Sequence, residues 1–465
     1  MTKKTMIMLA ALGAGLATNA EEAAPATEEM RAAIAAKAER MQWWTQARFG
    51  MFIHFGLYAM PARHEWVKMK ERLDDTTYDR YYQRFNPDLF DAKEWARRAK
   101  AAGMKYAVLT TKHHEGFCLF DSKYTDYKAT KTPIGRDLVR EYVDAFRAEG
   151  LRVGFYYSLI DWHHPDFTVD SLHPQRARDP ERMKPEEIDA HYARYNGKRD
   201  MARYRQYMKD QITELLTNYG KIDIIWFDFS YPNAKNPRLG KGHDDWDAKG
   251  IVDLVRRLQP GIIIDNRLDL MDTTWGWDFL TPEQYKVQAW PQWKGIEAPW
   301  ETCQTFSGSW GYHRDEATWK DMPQLIELLI HSVANGGNLI MNVGPTGRGE
   351  FDARACDRLD GFAKWMHANG RAIYGCTRAP ADLKAPADTI LTWNPKTRCA
   401  YVHMLNYPLG VLQVPFGDRV AYAQFLHDGS ELHLRKASGG DWQVKLPVIR
   451  PDVTVPVIEF ELKKD

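Results

Sequence analysis

The stretch "YAVLTTKHHEGF", residues 106–117, carries the pattern on which the fold prediction rests. Its first six residues are apolar or β-branched and predict a buried strand. Two histidines, a glutamate and a glycine follow a lysine at the end of that strand. A metal site, a sugar-binding site or a structural turn would each explain these residues, and the rest of the chain distinguishes among the three.

Seven further segments with the composition of short strands lie between residues 50 and 345. They are residues 50–56, 152–158, 223–229, 262–267, 278–283, 300–305 and 338–345. Amphipathic helices separate most of them, although the two links that follow 262–267 and 278–283 carry no clear helix. Eight strands alternating with helices predict a (β/α)8 barrel of residues 41–375. A doubly wound open sheet is the alternative, but no G-x-G-x-x-G fingerprint follows the first strand.

The pattern changes after residue 375, where "CTRAPADLKAPAD" begins a Pro- and Ala-rich linker of residues 376–389. Short alternating segments separated by turn residues follow, among them "TILTWN" and "VPVIEFEL". Such segments predict an antiparallel β-sandwich of residues 390–465. The predicted fold class is therefore α/β, a TIM-like barrel followed by a C-terminal antiparallel β-sandwich.

The N-terminus has the parts of a secretory signal peptide, which is predicted over residues 1–20. Lys3 and Lys4 form a basic region, and residues 6–16 form an apolar run that is too short to span a bilayer. Residues 21–40 are predicted as an Ala- and Glu-rich spacer that leads into a first helix. We expect a secreted or periplasmic protein without membrane association after signal removal, and an uncleaved anchor is the alternative.

The composition excludes several classes of protein. The chain has 465 residues and a net charge of +1, from 63 Lys and Arg against 62 Asp and Glu. This balance gives no reason to expect nucleic acid as a partner. The five cysteines are odd in number and form no CxxC, which fits neither a disulfide framework nor a zinc site. A disulfide pairing does not follow from the sequence.

Polar residues that are unusual for buried strands lie at or near the ends of all eight candidate strands. They are His54, His113, His114, Tyr156, Tyr157, Ser158, Asp228, Asp265, Asn266, Arg267, Glu283, Glu301 and Asn342. In a (β/α)8 barrel the catalytic residues collect where the strands run into their following loops. Capped or solvated strand ends explain one or two of these residues, but not all of them together.

Asp228 in "IDIIWFDFSYP" is the most informative of them, because burying a carboxylate between apolar side chains is costly unless it is paired. Arg267 is a natural partner that would keep the carboxylate ionised. Acid/base chemistry at a glycosidic bond needs a second carboxyl group. Glu283 lies where its strand meets the loop, whereas Glu301 lies at a strand start, on the opposite rim. Both remain candidates.

A metal site is the weaker interpretation of the two adjacent histidines. Neighbouring residues on a regular strand point to opposite faces, so His113 and His114 share a pocket only if the chain bends after Lys112. None of the spacings H-x-H, H-x-x-x-H and H-E-x-x-H occurs. We expect no metal and no cofactor, and Gly116 would permit the bend.

Nine motifs in the same order resemble the α-L-fucosidases, the retaining glycoside hydrolase family 29, over about residues 43–374. They are RFGMFIHFG, HEW, KHHEGFCLFDSKYT, GFYYSLIDW, IDIIWFDF, IIIDNR, DFLTPE, WETCQTFSGSWGY and NLIMNVGPTGRGE. The resemblance implies the barrel and sandwich predicted above. It also implies an exo-acting α-L-fucosidase that removes terminal α-L-fucosyl residues from a fucosylated oligosaccharide or glycoconjugate, with retention and through a covalent glycosyl-enzyme.

The resemblance further implies roles for individual residues. Asp228 matches the nucleophile, with Trp226 as the pocket tryptophan and Arg267 as the arginine beside the nucleophile. Glu283 matches the acid/base position, and Glu301 is the alternative. The residues that match those holding the fucose hydroxyls are His54, Glu65, Trp66, His113 and His114.

Some positions in the matched motifs leave questions. Tyr157 matches the tyrosine of the "YYS" motif, and Tyr156 is the alternative. Phe229 departs from the family, in which many members have Gly after the nucleophile. Glu115 has no role that the sequence assigns.

Two other classes of function stay open: a carbohydrate-binding barrel without catalysis, and a metal-dependent hydrolase. The presence of both carboxylates argues against the first, and an assay on an aryl α-fucoside separates it from an enzyme. Sensitivity to a chelator separates the second. The sequence does not give the linkage cleaved or the leaving group, and a homo-oligomer stays open.

Overall fold

The computed structural model describes residues 27–464, so the predicted signal peptide and the first part of the spacer lie outside the described residues. The helices of this part are α1 (Glu28–Ala47), α2 (Val67–Lys70), α3 (Asp75–Tyr82), α4 (Ala92–Ala101), α5 (Leu138–Ala148), α6 (Pro185–Asn196), α7 (Met201–Asn218), α8 (His243–Trp246), α9 (Ala248–Leu258), α10 (Met322–Ala334) and α11 (Ala353–Asn369). No helix within residues 27–464 has the length and apolar composition needed to cross a membrane.

Seventeen strands accompany these helices within the same residues. They are β1 (Phe49–Ile53), β2 (Tyr106–Lys112), β3 (Arg152–Ser158), β4 (Ile224–Asp228), β5 (Ile263–Ile264), β6 (Gln292–Trp293), β7 (Ile296–Glu297), β8 (Glu301–Thr305), β9 (Asn338–Val343), β10 (Thr377–Arg378), β11 (Thr389–Asn394), β12 (Cys399–Met404), β13 (Val411–Gln413), β14 (Val420–Phe425), β15 (Leu434–Lys436), β16 (Trp442–Lys445) and β17 (Val457–Leu462).

The first unit is a curled parallel sheet of seven strands in the order β5-β4-β3-β2-β1-β9-β8. Helices pack on its outer face and form the larger apolar core with it. A second, smaller core lies on the inner face and joins Phe52, Tyr156 and Trp226 to Ile263 on β5 and Cys303 on β8. Because residues from both edge strands meet there, the sheet encloses an interior. Its strands therefore have apolar residues on both faces, as buried parallel strands require.

The sixth predicted strand, residues 278–283, is not continuous. Only single parallel bridges form there, from Asp265 to Phe279, from Leu280 to Trp300 and from Glu283 to Cys303. Pro282 has no N–H to donate to a ladder, although its carbonyl accepts the N–H of Cys303 at 3.1 Å. The segment therefore lies between β5 and β8 without regular pairing on either side.

Strand β2 contains an irregularity that decides which side chains enter the interior. Thr110 pairs with Tyr156, but the next pair along the ladder is Lys112 with Tyr157. One strand therefore advances by two residues while its neighbour advances by one, which is a β-bulge. The bulge moves Lys112 to the outer face, where its ammonium pairs with buried Asp161 at 3.1 Å. The residue after Lys112 consequently starts on the inner side.

The C-terminal unit consists of two antiparallel sheets, in the orders β10-β11-β12-β17-β14 and β13-β16-β15. The predicted strands after residue 389 are all present. Strand β10 lies within the predicted linker, residues 376–389, and pairs with β11. One apolar core joins the two sheets, and it includes Leu412 of β13, Val444 of β16 and Phe460 of β17.

Helix α1 crosses the boundary predicted at residue 40. Its N-cap is Thr27, whose side chain accepts the N–H of Met30 at 3.2 Å. Met41 and Trp44 of this helix are buried in the inner core of the parallel sheet. The helix therefore connects the spacer directly to the start of β1 and closes one end of the interior.

Candidate active site

Asp228 ends β4 and faces the interior of the parallel sheet. Side chains alternate along β4, so Phe227 joins the outer core while Trp226 and Asp228 point inwards. Asp228 is 7% exposed. Burial raises its pKa above the ordinary value, Glu283 adds to this effect, and Arg267 and Tyr156 act against it. Arg267 thus favours the ionised carboxylate, as expected, but burial opposes it and the pKa of Asp228 is raised overall.

Arg267 binds the two predicted catalytic carboxylates with one guanidinium group. Its Nη1 lies 2.8 Å from Oδ1 of Asp228, and its Nη2 lies 2.7 Å from Oε2 of Glu283. The guanidinium carbon also lies 4.5 Å from the ring centroid of Trp226, in a cation–π contact. Asp228 is buried, whereas the side chain of Glu283 is 34% exposed. The structure therefore brings these four predicted residues together, with one carboxylate enclosed and one open.

The tyrosine beside Asp228 is Tyr156, and the prediction of Tyr157 is wrong. The hydroxyl of Tyr156 donates to Oδ2 of Asp228 at 2.7 Å. Tyr157 points to the outer face, where its hydroxyl donates to Gln211 at 2.8 Å. Adjacent residues on β3 face opposite sides of the sheet, so only one member of the "YY" pair can reach the interior.

Both histidines of the "KHHEG" motif enter the site. The strand ends at Lys112, and the rings of His113 and His114 lie with centroids 4.1 Å apart, both buried. His113 stacks on Tyr156, and Nε2 of His114 lies 3.9 Å from Oδ2 of Asp228. The bulge in β2 together with the end of the strand produces the bend that the sequence required.

His114 and its hydrogen-bond chain define one acceptor in the site. Nδ1 of His114 lies 2.7 Å from Oγ of Ser158, whose own proton goes to the carbonyl of Ile160. Nδ1 must therefore carry a proton and donate it. Burial lowers the pKa of His114 well below its ordinary value, so the ring is neutral and Nε2 is an acceptor.

His54 has a hydrogen-bond chain of the same kind as that of His114. Its Nδ1 lies 2.6 Å from Oδ1 of Asn342, whose amide nitrogen donates to the carbonyl of Trp310. Nδ1 of His54 is thus the donor, and burial lowers the pKa of the ring to about 3. Within residues 27–464, no side chain or backbone group hydrogen-bonds Nδ1 of His113. The three histidines therefore offer the neutral, unsatisfied groups that sugar hydroxyls need.

Glu65 and Trp66 complete the predicted binding residues. Oε2 of Glu65 accepts the N–H groups of Trp310 and Gly311, at 3.1 and 2.9 Å, and burial raises its pKa to about 7. The ring of Trp66 lies 4.9 Å from that of His114, between centroids. Glu65 thus anchors the loop that carries Trp310, while Trp66 forms a wall beside His114.

Glu301, the alternative acid/base, lies at the start of β8, at the opposite end of the sheet from Asp228. It is fully buried, and the hydroxyl of Tyr106 donates to its Oε2. Burial raises the pKa of Glu301 to about 8, while Tyr106, Trp44 and Trp226 act in the opposite direction. Among the described residues it forms no ion pair, and its complete burial keeps solvent away.

Glu115, which the sequence left without a role, fixes the loops around the site. Its Oε1 accepts the N–H of Leu57 at 2.8 Å, and its Oε2 accepts the hydroxyl of Tyr78. Gly116 follows with φ +85°, and a Cβ there would lie 2.2 Å from Oδ1 of Asp161. The "EG" dipeptide is therefore a structural turn behind the two histidines.

Trp310 is the site residue that the sequence analysis missed. Its ring lies 5.1 Å from that of His54 and 6.0 Å from that of Phe52, between centroids. It belongs to "FSGSWGY", and an aromatic residue flanked by Gly and Ser in a loop after a strand of the parallel sheet is the signal that would have identified it. With Trp226 and Tyr156 it supplies the aromatic surface of the interior, which suits the apolar parts of a sugar.

The arrangement has the groups for glycosidic bond cleavage, namely two nearby carboxyl groups in unlike environments within an aromatic, histidine-lined interior. Within residues 27–464, no three or more His, Cys, Asp and Glu side chains are grouped as metal ligands would be. The adjacent histidines accordingly bond to Ser158 and stack on Tyr156.

Comparisons with known proteins show which family this chain resembles. The family described as Alpha-L-fucosidase matches residues 16–371. Among solved structures, α-L-fucosidase isoenzyme 1 from Paenibacillus thiaminolyticus is 42% identical, with a TM-score of 0.82, over 92% of this chain and all of that one.

Two further relatives share this likeness. A trapped covalent intermediate of a GH29 α-L-fucosidase from Bacteroides thetaiotaomicron, in complex with 2-fluoro-fucosyl fluoride, is 28% identical with a TM-score of 0.74. It covers 92% of this chain and 96% of that chain. Plasma α-L-fucosidase of Homo sapiens is 29% identical over 79% of this chain and 76% of its own length.

Proposed function

The chain belongs to the α-L-fucosidase family, and we propose that it hydrolyses terminal α-L-fucosyl residues of fucosylated oligosaccharides or glycoconjugates, with retention of configuration. One observation carries this proposal: Arg267 holds a buried carboxylate, Asp228, and a partly exposed one, Glu283, with a single guanidinium. Because both carboxylates bind one group, they are close together, as a retaining double displacement requires.

In the first step the carboxylate of Asp228 attacks the anomeric carbon of fucose. The bond from that carbon to the leaving oxygen breaks, and the carboxyl group of Glu283 gives that oxygen its proton. A covalent glycosyl-enzyme and a free alcohol result. In the second step Glu283, now ionised, takes a proton from water, whose oxygen attacks the anomeric carbon and releases Asp228. The partial exposure of Glu283 lets both the leaving group and the water reach it.

Two hydrogen-bond donors act on the nucleophile before the reaction. Tyr156 donates to one oxygen of Asp228 and Arg267 to the other. Both bonds favour the ionised form, against the burial that raises the pKa of Asp228. When the glycosyl-enzyme forms and the carboxylate loses its charge, Arg267 keeps its second partner, Glu283. The guanidinium therefore stays positioned through both steps.

The remaining predicted residues bind the sugar in this proposal. The hydroxyl groups of fucose bond to His54, His113, His114 and Glu65, while Trp66 and Trp226 contact its apolar parts. Neutral histidines suit this role, because a ring nitrogen that the protein leaves free can bond to a hydroxyl without a charge to desolvate. Removal of terminal fucose alone follows if this interior has room for one sugar ring.

A 2-fluoro-fucosyl fluoride tests the mechanism, because the fluorine slows the second step and lets the covalent intermediate accumulate. We expect one added 2-fluoro-fucosyl mass on the peptide that contains Asp228, and loss of turnover in Asp228→Ala. Label on another residue, or near-normal turnover of Asp228→Ala, would refute the assignment. Activity that fell on addition of a chelator would favour the metal-dependent alternative.

The complete barrel and the sandwich belong to the same proposal. We infer that residues 278–283 act as the eighth strand, because their bridges reach Asp265, directly after β5, and Cys303 of β8. The shared apolar core between the two C-terminal sheets supports a sandwich. The division at residues 375 and 390 stays a prediction. A crystal structure with an open gap between β5 and β8 would contradict the closed barrel.

Export of the protein rests on the sequence of residues 1–20 alone. We propose a secreted or periplasmic location, without a membrane anchor after cleavage. Expression of the full chain followed by N-terminal sequencing of the exported product tests this. A mature N-terminus near residue 21 is expected, whereas retention of the full-length chain in the membrane would favour an uncleaved anchor. A homo-oligomer also stays a prediction, which sedimentation would test.

A further inference from the structure

Phe229, the residue after the nucleophile, has an unfavourable backbone conformation. Its φ is +86°, the region that favours glycine, and it is the only Phe, Tyr or Trp with positive φ among residues 27–464. A bulky side chain persists in this region only when the surrounding structure holds it there, and such residues cluster at functional sites. The contacts of the Phe229 ring should therefore show what holds the residue in this conformation.

The ring of Phe229 lies against the pocket residues on the histidine side. Its centroid is 5.2 Å from that of His114, with the planes nearly perpendicular, and 5.2 Å from that of Trp66. Trp162 stands 5.5 Å from His114, between centroids. Three aromatic rings thus surround His114, and Phe229 is the one attached directly to the residue that carries the nucleophile.

The position of His114 identifies the part of the sugar that lies beside the rings of Phe229 and Trp66. Its Nε2 is an acceptor and lies 3.9 Å from Oδ2 of Asp228, so a hydroxyl that donates to it is close to the attacked carbon. In a pyranose the only hydroxyl on a carbon next to the anomeric carbon is the 2-hydroxyl, since the ring oxygen carries no proton. The 2-hydroxyl is therefore the sugar hydroxyl that we expect to donate to His114.

We propose that Phe229 is a specificity-determining residue that closes the pocket beside the 2-hydroxyl. A substituent on O2 would have to occupy the space between His114, Trp66 and the ring of Phe229. The enzyme therefore accepts fucosyl groups that are free at O2 and rejects those that are substituted there. This inference rests on the proposed function and adds the substrate class to it.

The test compares 4-nitrophenyl α-L-fucopyranoside with its 2-O-methyl derivative on wild type and Phe229→Gly. Glycine adopts φ +86° without strain, so this variant keeps the backbone and removes only the ring. We expect the ratio of kcat/KM for the 2-O-methyl substrate to that for the parent to rise at least about tenfold in the variant, the usual discrimination for one methyl group. An unchanged ratio would overturn the proposal.

Asp388→Gly is the matched control, because Asp388 also has positive φ, at +55°, but is exposed in the segment before β11. Its ratio is expected to equal that of wild type. If Phe229→Gly fails to fold, Phe229→Leu replaces it, with the same expected direction.

A binding readout separates this proposal from the function on which it rests. If wild type leaves the parent substrate intact, the proposed function fails. Thermal stabilisation by L-fucose and by 2-O-methyl-L-fucose then tests, without turnover, whether the ring of Phe229 excludes a substituent on O2. Stabilisation of wild type by L-fucose alone, and of Phe229→Gly by both sugars, supports the proposal. Equal responses of the two proteins overturn it.

Discussion

The two ends of the parallel sheet each hold a buried carboxyl group that is bound by a tyrosine, and they differ in the other groups around it. At the carboxyl end Tyr156 donates to Asp228, which Arg267 links to the 34%-exposed side chain of Glu283. At the amino end Tyr106 donates to Glu301, which is fully buried and lies near indoles instead of a cation. Burial and a tyrosine partner are thus common to both ends.

The difference shows what makes a carboxyl group useful for catalysis. Glu301 has a pKa raised to about 8, a perturbation of the kind that marks functional sites, yet no substrate reaches it. Glu283 lies beside the arginine that holds the nucleophile and is open to solvent, so a leaving group and a water molecule can both reach its carboxyl group and exchange a proton with it. Access and pairing, rather than the size of a pKa shift, distinguish the two glutamates.

Glu283→Gln and Glu301→Gln test this distinction most strongly. Loss of a general acid/base costs about 10²- to 10⁴-fold in rate, so Glu283→Gln is expected to lose that much kcat/KM on a fucosylated oligosaccharide. Glu301→Gln removes an ionisable group that is protonated at neutral pH and should stay within a few-fold of wild type. Steady-state kinetics with one oligosaccharide measure both.

The opposite ranking of the two glutamine variants would assign the acid/base to Glu301. An aryl fucoside with a good leaving group is the control, because its departure needs less protonation. On that substrate the first step of Glu283→Gln should recover much of its rate. A variant that lost activity equally on both substrates would have been damaged in another way.

The two tyrosines provide a smaller contrast of the same kind. Tyr156→Phe removes a charge-assisted bond of about 1.5–3 kcal/mol to Asp228, so kcat/KM should fall roughly 10- to 100-fold. Tyr106→Phe removes the bond to Glu301 and should lower the free energy of unfolding by about 1–3 kcal/mol while kcat/KM stays near wild type. Urea unfolding and steady-state kinetics on both variants separate these effects. Equal catalytic losses would show that the amino end contributes to turnover.

The sequence predicted the parallel strands and the residues Asp228, Arg267 and Glu283, because each is a polar group in an apolar strand or at its end. Its error at Tyr157 has a physical cause. Alternation along β3 shows that Tyr156 and Tyr157 face opposite sides, but not which side is the interior. That orientation depends on the whole sheet.

The sequence pattern did not predict the bulge in β2 either. Nothing in "LTTKHH" indicates that Lys112 leaves the interior for Asp161, so the shared pocket of His113 and His114 required an assumed bend. The missing ladder at residues 278–283 depends on pairing geometry between distant segments. The sequence therefore predicts which chemical groups form the site, whereas the tertiary structure decides which side chains point into it.

The smallest effect expected from the contrast is a pH dependence of stability at the amino end. The pKa of Glu301 is about 8 in the folded protein and that of an unperturbed glutamate is 4.5, so between these values the folded state holds a proton that the unfolded state releases. Stability from this group is complete below pH 4.5, falls as pH rises through 8, and is constant above that. The slope is at most about 1.4 kcal/mol per pH unit.

Glu301→Gln carries no proton to release, so the difference in unfolding free energy between it and wild type should shift by about 1 kcal/mol between pH 6 and pH 7. Urea unfolding at a series of pH values measures it. Glu115→Gln is the matched comparison, because burial raises the pKa of Glu115 to about 7. Its slope should level off near pH 7, while that of Glu301→Gln continues towards pH 8. A difference that did not vary with pH would mean that Glu301 is ionised in the folded protein, and the two ends of the sheet would then be more alike than their contacts indicate.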